Sequence, residues 1–253
     1  MSSDESKAKG AESLKTGGAS KLIHEILPVG MLQCNCHIVG DPATREALVI
    51  DPGEDAARIL AIIERHKLRV TNIAITHTHI DHVGGLRKLQ QATGAPVCMH
   101  ADDLELYKML DIQAAWIGWK APEQVQVDEL LQEGDTIRWG NFQAEVMHTP
   151  GHTKGSVCLY VPAELTSEQH VHPETDAPVK SAEKRAGLLF AGDTLFSGSI
   201  GRTDLWGGSF EEIMRSLRGK LLALPDDTIV YPGHGESTTI GIERDSNPFL
   251  GKQ

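Results

Sequence analysis

Directly after the apolar run Ile73-Ala74-Ile75, the chain reads Thr76-His77-Thr78-His79-Ile80-Asp81-His82-Val83-Gly84-Gly85, which places three imidazoles and one carboxylate within six residues. Neutral imidazole is the commonest protein ligand for zinc, and carboxylates supply oxygen ligands. One ion cannot take all four groups from so short a loop, so the stretch predicts two neighbouring metal ions. If the loop caps a strand, His77 and His79 turn toward one ion. Asp81 and His82, at the start of a helix, then lie near the other.

The motif from His77 to His82 resembles the H-x-H-x-D-H signature of the metallo-β-lactamase fold superfamily, a broad set of mostly hydrolytic dinuclear metalloproteins. The superfamily pattern has three further ligands, and each has a match here that follows an apolar segment and a glycine. The matches are His152 in Thr149-Pro150-Gly151-His152-Thr153, Asp193 in Phe190-Ala191-Gly192-Asp193-Thr194-Leu195-Phe196, and His234 in Tyr231-Pro232-Gly233-His234-Gly235. The resemblance covers roughly residues 22 to 250. It implies an α/β fold, the four-layer αββα sandwich.

The resemblance also assigns the ligands. It implies that His77, His79 and His152 bind one ion, that Asp81, His82 and His234 bind the other, and that Asp193 bridges the two. Open positions on the ions make such a site catalytic. A water held between two cations ionises near neutral pH, and the hydroxide can attack a carbonyl. Asp81 and Asp193 are the expected catalytic carboxylates. Zinc is the expected metal, although these ligands also suit iron and manganese.

A narrower resemblance is carried by the run from Gly192 to Leu205, which is similar to the glyoxalase II group, the hydroxyacylglutathione hydrolases. The short Gly233-His234-Gly235 segment and Asn247-Pro248-Phe249-Leu250 resemble their compact bacterial branch. Full glyoxalase II enzymes carry a C-terminal helical domain that contacts glutathione, whereas only 19 residues follow His234 here. The resemblance therefore implies hydrolysis of S-lactoylglutathione or a related small acyl thioester, and it leaves the carrier thiol open.

Two other functions remain open at this point. A persulfide dioxygenase of similar sequence would hold a single iron with the positions of His77, His152 and Asp193. A protein that binds metal without turnover, as a sensor or scaffold, would keep the same ligands. The ligand motif alone does not separate these functions from a hydrolase.

Arg202 is the candidate substrate-binding residue. It falls where glyoxalase II proteins carry a basic residue that meets the glutathione moiety, and a guanidinium can bind a carboxylate with two parallel hydrogen bonds. The alternative is that Arg202 pairs with Asp204 and fixes the loop that follows Asp193.

The pattern of apolar segments predicts two halves, each with strands followed by a helix, which fits the αββα sandwich. We expect one domain over residues 21–253, because sandwich domains of this length are common. Residues 1–20 have the composition of a disordered tail, and residues 162–186 read as an exposed insertion. Residues 111–127 read as an irregular apolar segment near the mouth of the site.

Composition limits the partners. The net charge of −11 argues against nucleic acid and anionic membranes, both of which select basic surfaces. The chain has no apolar run near the roughly 18 residues of a membrane span, and residues 1–20 lack the apolar centre of a secretory signal. We therefore expect a cytoplasmic enzyme with a small-molecule substrate, and the oligomeric state stays open.

Several other residues have two interpretations. Asp51 either shapes a turn or helix start, or braces the metal loops. His100 is expected to cap a strand end or helix rather than to bind metal, and His170 and His172 to lie in a flexible loop. Cys34 and Cys36, two apart in a strand, are expected to be small buried side chains rather than a redox or metal pair. Trp116 and Trp119 either contact substrate or pack.

Overall fold

The computed structural model describes residues 22–163 and 186–251. The predicted tail, residues 1–20, lies outside the described residues. So does most of the predicted insertion, including His170 and His172.

The first sheet brings together the strands of the N-terminal half. It contains β1 (Ile23–Val29), β2 (Cys34–Gly40), β3 (Glu46–Ile50), β4 (Arg69–Ala74), β5 (Val97–His100) and β6 (Glu129–Leu131), in that spatial order. The strands β1, β2 and β3 pair antiparallel, as the predicted consecutive hairpins require. From β3 to β6 the pairing is parallel, so the carboxyl ends of β3, β4 and β5 meet at one edge.

The second sheet is built mostly from antiparallel neighbours. The remaining strands are β7 (Thr136–Trp139), β8 (Phe142–His148), β9 (Val157–Val161), β10 (Leu188–Gly192), β11 (Leu195–Phe196), β12 (Ser199–Ile200), β13 (Ile229–Pro232) and β14 (Thr238–Thr239). The sheet order is β14-β13-β10-β9-β8-β7, while β11 and β12 form a separate hairpin. Because β10 and β13 are parallel, the loops after both strands open on the same edge.

Helices cover the outer faces of both sheets. They are α1 (Ala56–Arg65), α2 (Ile80–Val83), α3 (Leu86–Thr93), α4 (Leu104–Tyr107), α5 (Leu110–Ile117), α6 (Phe210–Gly219) and α7 (Ile240–Ser246). In α1, Ile59 and Ile63 are buried one turn apart, which gives the helix one apolar face. In α6, the Ser209 hydroxyl accepts a hydrogen bond from the main-chain N of Glu212 and caps the first turn.

Three apolar clusters separate four layers. One lies between the first sheet and α1, α3 and α5, one lies between the sheets, and one lies between the second sheet and α6 and α7. Strand β3 shows the alternation that makes this possible. Val49 belongs to the first cluster, whereas Leu48 and Ile50 face the second sheet. The αββα sandwich predicted from the sequence is confirmed.

Two segments differ from the prediction. Residues 110–117 form α5, although the segment from 111 was predicted to be irregular. The chain after His234 adds β14 and α7, two elements that the sequence did not predict. Among residues 22–163 and 186–251, no helix combines the length and apolar character needed to cross a membrane.

Candidate metal centre

The predicted metal ligands share one position in the fold, because all of them lie in the segments that connect one strand to the next. His77 and His79 follow β4, Asp81 and His82 begin α2, His152 follows β8, Asp193 follows β10, and His234 follows β13. The two sheets bring these loops together, since an isolated antiparallel bridge joins Cys34 at the start of β2 to His234. The predicted convergence of ligands at strand ends is therefore present in the structure.

His77, His79 and His152 form a first group of buried imidazoles. One nitrogen from each lies within 4.8 Å of the others. His79 Nδ1 is 2.9 Å from His152 Nε2, and His77 Nε2 is 3.2 Å from the same atom. Three nitrogens that converge in this way match the ligand set implied for one ion.

Asp81, His82 and His234 form the second group. His234 Nε2 lies 3.2 Å from Asp81 Oδ2, and His82 Nε2 lies 3.8 Å from the same oxygen. Burial alone would raise the pKa of Asp81, but His82 and His234 hold that pKa below its ordinary value. The carboxylate is therefore ionised and able to bind a cation.

Asp193 lies between the two groups. Its Oδ2 is 3.6 Å from His152 Nε2 in the first group and 3.7 Å from His234 Nε2 in the second. Its Oδ1 is 3.5 Å from His82 Nε2. A carboxylate that reaches ligands of both groups has the position that the sequence resemblance gave to the bridging residue.

The polar atoms of the centre fit bound cations. Within the described part of the chain, the buried atoms His79 Nε2, His82 Nε2 and Asp193 Oδ1 have no hydrogen-bond partner. A buried polar atom without a partner costs about 1–3 kcal/mol, and coordination of a cation would satisfy it. Burial lowers the pKa of His79 to about 3, and burial together with neighbouring imidazoles lowers the pKa of His77. Both rings are therefore neutral, which is the form that binds metal.

Asp51 holds the second group from behind. Its Oδ2 lies 3.0 Å from His82 Nδ1, and its two oxygens accept hydrogen bonds from the main-chain N and the hydroxyl of Thr76 at 2.7 and 2.6 Å. A carboxylate on the outer nitrogen of a metal-binding histidine fixes the ring and its tautomer. Asp51 also begins a tight turn, because its carbonyl oxygen accepts a hydrogen bond from the main-chain N of Gly53 at 2.8 Å. Both interpretations left open by the sequence therefore hold together.

Asp103 joins the loops that carry the first group. This buried carboxylate accepts hydrogen bonds from the main-chain N of Thr78 at 2.8 Å, the Thr153 hydroxyl at 3.0 Å and the main-chain N of Gly155 at 2.7 Å. Thr78 precedes His79, and Thr153 follows His152. Asp103 was not singled out from the sequence, because its partners are mostly main-chain atoms and leave no motif.

Gln113 on α5 is a second residue that the sequence did not reveal. Its side-chain oxygen accepts a hydrogen bond from the main-chain N of Ile80 at 3.0 Å, and its amide donates to the carbonyl of Thr78 at 3.2 Å. These two main-chain atoms flank His79. Gln113 is buried and fixes the metal loop against α5.

Arg202 is engaged at both its side chain and its main chain. Its Nε and Nη2 donate to the two carboxylate oxygens of Asp204 at 2.7 and 2.8 Å. Its carbonyl oxygen lies 2.8 Å from His152 Nδ1, which orients that ligand. The loop-fixing role that the sequence left open thus has a defined geometry, and substrate binding by Arg202 stays a prediction.

The other candidates are placed outside the ligand groups. His100 Nδ1 accepts a hydrogen bond from the main-chain N of Asp102 and caps a short 3₁₀ turn, so the predicted capping role is confirmed. Cys34 and Cys36 are buried free thiols, as expected. Trp119 is partly buried against the first apolar cluster, whereas Trp116 is 60% exposed.

Comparison with known proteins agrees with this architecture. The family description "Metallo-beta-lactamase superfamily" matches residues 29–164 and 162–234, and the chain belongs to that superfamily. It is 36% identical over 228 residues to the hydroxyacylglutathione hydrolase GloC of Haemophilus influenzae, which covers 89% of this chain and 97% of GloC.

Two solved structures are similar over nearly the whole fold. The BLEG-1 B3 metallo-beta-lactamase superposes with a TM-score of 0.77 at 33% identity, over 91% of this chain and 100% of that one. TTHA1623 in a di-iron-bound form superposes with a TM-score of 0.72 at 35% identity, over 89% of this chain and 100% of that one. The chain is thus a protein of the metallo-hydrolase type. Its relatives are named for different activities, GloC as a hydroxyacylglutathione hydrolase and BLEG-1 as a metallo-beta-lactamase.

Proposed function

We propose that this chain is a dinuclear metal-dependent hydrolase of small acyl thioesters, with S-lactoylglutathione or a similar compound as substrate. The observation that carries the proposal is the meeting of two three-residue groups around Asp193. The similarity to GloC, a hydroxyacylglutathione hydrolase, supports the thioester. We propose zinc as the metal. The di-iron form of TTHA1623 supports iron as the alternative.

The chain prepares the site for this reaction. Two divalent ions would lower the pKa of water and polarise the thioester carbonyl. Asp193 and Asp81 place negative charge between and beside the ligand groups, which offsets that of the cations. The neutral imidazoles of His77 and His79 can bind metal without losing protons. Cys34, the thiol nearest the ligands, is not a nucleophile, because burial raises its pKa to about 12.

The test is thiol release from a panel of thioesters by purified protein of measured metal content. We expect about two metal ions per chain, release of thiol from S-lactoylglutathione or a related small thioester, loss of activity on chelation and recovery on adding metal. The variant His79→Gln should lose activity. His66→Gln is the matched control, because His66 pairs with Glu25 at 2.6 Å and lies outside both ligand groups.

Other outcomes would redirect the assignment. About one iron per chain, with oxygen uptake on glutathione persulfide and no thioester cleavage, would establish the dioxygenase instead. Cleavage of a β-lactam but of no thioester would place the chain with BLEG-1. Full metal content without turnover of any of these compounds would leave the scaffold function.

A further inference from the structure

Two tryptophans from separate parts of the chain meet, one on the helix that holds the metal loop and one in the loop that contacts His152. Trp116 lies in the last turn of α5, and Trp206 lies in the loop between β12 and α6. Their ring centroids are 5.5 Å apart and their planes are inclined by 77°, an edge-to-face contact. Trp116 nevertheless keeps 60% of its surface exposed. Large aromatic surface left open beside a polar site marks a place where an apolar group binds.

The position of Trp116 is set by the metal loop. Gln113, one turn earlier on α5, hydrogen-bonds the main-chain atoms on either side of His79, the N of Ile80 and the O of Thr78. The helix therefore cannot shift without moving this loop. Trp116 is fixed relative to His79 rather than projecting from a loose segment.

The position of Trp206 is set by the loop that carries His152. The loop with Trp206 is attached on one side by the Arg202 carbonyl, 2.8 Å from His152 Nδ1. On the other side, the main-chain N of Ser209 donates to the carbonyl of Gly151 at 2.8 Å. Trp206 lies between these two attachments. The aromatic pair therefore borders the half of the centre formed by His79 and His152.

The surroundings favour an uncharged ligand group. Trp206 lines a cavity of about 190 Å³, in which Leu106 and Met109 continue the apolar surface. Its other lining residues are Lys154, Gly207 and the acids Asp102, Asp103 and Glu105. Three carboxylates against one ammonium disfavour an anionic group. A hydrocarbon or aromatic group gains from burial against the rings without facing that repulsion.

The opposite side of the centre is apolar as well. His234 Nδ1 lies 3.0 Å from the carbonyl oxygen of Leu32, so the turn between β1 and β2 borders the second group. In that turn Met31 is 76% exposed and Leu32 is 50% exposed. A thioester at the metal centre would therefore have apolar side chains on both sides.

We infer that Trp116 and Trp206 bind an uncharged hydrocarbon or aromatic group of the substrate, so that thioesters with such a group are preferred over the lactoyl or acetyl compounds. This inference rests on the proposed thioester hydrolysis and narrows its substrate class. The apolar group belongs to the acyl part or to the thiol part of the thioester, and two substrate series separate these sources.

The first series keeps a small neutral thiol, N-acetylcysteamine, and lengthens the acyl group from acetyl to butanoyl and hexanoyl. The second keeps acetyl and lengthens an alkyl thiol. We expect kcat/KM to rise about two- to fourfold for each added methylene in one of the two series. The fourfold limit is the increase expected when a methylene is fully buried. Trp116→Ala and Trp206→Ala should each lower, about tenfold, the ratio of kcat/KM for the six-carbon member of that series to kcat/KM for its shortest member. The value for the shortest member itself should change less than threefold.

Ile242→Ala is the matched control, because Ile242 is a 55% exposed apolar residue on α7. It should keep the wild-type ratio. Binding is measured separately by titration calorimetry of the metal-loaded protein with the uncleavable S-hexyl thioether of N-acetylcysteamine, which should bind at least tenfold more weakly to Trp116→Ala.

The outcomes separate this inference from the proposed function. Thioester hydrolysis that ignores chain length in both series, or that falls equally on all members in the tryptophan variants, overturns the inference and leaves the hydrolase standing. A protein that cleaves no thioester but binds the thioether through Trp116 overturns the proposed function and keeps the apolar site. Absence of both activity and binding overturns both.

Discussion

Asp103→Asn changes one atom of the residue that joins the two loops of the first ligand group. The oxygen Oδ2 accepts from Thr78 and Thr153, and Oδ1 accepts from Gly155. An amide can keep its oxygen on only one of these sides, so its NH₂ group must face at least one N–H or O–H donor. A hydrogen bond to a charged group contributes about 1.5–3 kcal/mol, and we expect a loss of unfolding free energy in this range.

The same change should weaken metal binding unequally. Thr78 and Thr153 are neighbours of His79 and His152, so looser loops displace two ligands of the first group. The second group keeps its own supports, Asp51 behind His82 and the Leu32 carbonyl at His234. Loss of a residue that orients ligands typically costs 10- to 100-fold in metal affinity. We expect about this loss for one ion and less than threefold for the other.

The assay is a zinc titration in competition with a coloured chelator, which resolves two dissociation constants, alongside urea unfolding of metal-free protein. Asp41→Asn is the control. Asp41 is also fully buried and accepts bonds from the main-chain N of Ala43, the Thr44 hydroxyl and the main-chain N and side-chain amide of Asn141. It follows the end of β2 opposite to Cys34, the residue that bridges to His234. It should lose similar stability with both zinc constants unchanged. Wild-type binding of both ions in Asp103→Asn, or equal metal loss in the Asp41 variant, would refute the reasoning.

Three further predictions concern the centre and the fold. Asp193→Asn keeps the shape of the bridge but removes its charge, so turnover should fall about a hundredfold or more, with at least one ion loosened and the fold retained. Full activity at full metal content would contradict the bridging position. Arg202→Ala removes the pair with Asp204 but keeps the main-chain carbonyl at His152. If Arg202 binds substrate, KM should rise about ten- to a hundredfold for anionic glutathione thioesters only. Equal losses on a neutral thioester would indicate that Arg202 fixes the loop instead. Burial lowers the pKa of His24 to about 4, so the stability that this neutral ring contributes above pH 6.5 is lost as the pH falls toward 4. Urea unfolding from pH 7.5 to 4.5 should show that the unfolding free energy of His24→Phe is less sensitive to acid. An unchanged dependence of that free energy on pH would exclude this contribution.

The residues of the site that could be predicted from the sequence are those whose side chains are typical metal ligands. His77, Asp81 and their partners could be found because imidazoles and carboxylates recur after apolar segments, and because strand ends must share an edge in such a sandwich. The sequence also identified Asp51 and Arg202. The sequence left two interpretations for each, because the residue type is the same whether a carboxylate or guanidinium fixes a loop or binds a ligand.

Helix α5 escaped prediction for a physical reason. Its exposed residues include Ile112 and Trp116, while the polar Gln113 is buried. Helix prediction depends on apolar residues facing inward at regular spacing. In α5 Leu110 and Ala114 face inward, but the exposed Ile112 and Trp116 and the buried Gln113 break the pattern. Gln113 is buried because it serves main-chain atoms of the metal loop, and such a partner has no sequence signature. Trp116 departs from the expected pattern in the opposite way, because it is apolar and exposed. We attribute both the buried Gln113 and the exposed Trp116 to the role of α5 at the site.

The two carboxylates of the proposed metal centre, Asp81 and Asp193, are placed through their main chains, which explains the glycines near them. A Cβ added at Gly53 would collide with the carbonyl oxygen of Asp81, and a Cβ added at Gly201 would collide with the carbonyl oxygen of Asp193. Gly53 belongs to the first half of the fold and Gly201 to the second. In both halves the carbonyl of the acidic ligand is therefore packed directly on a glycine main chain. A side chain at either position must push the ligand's backbone away, so the distance between the two ligand groups depends on residues that bind nothing themselves.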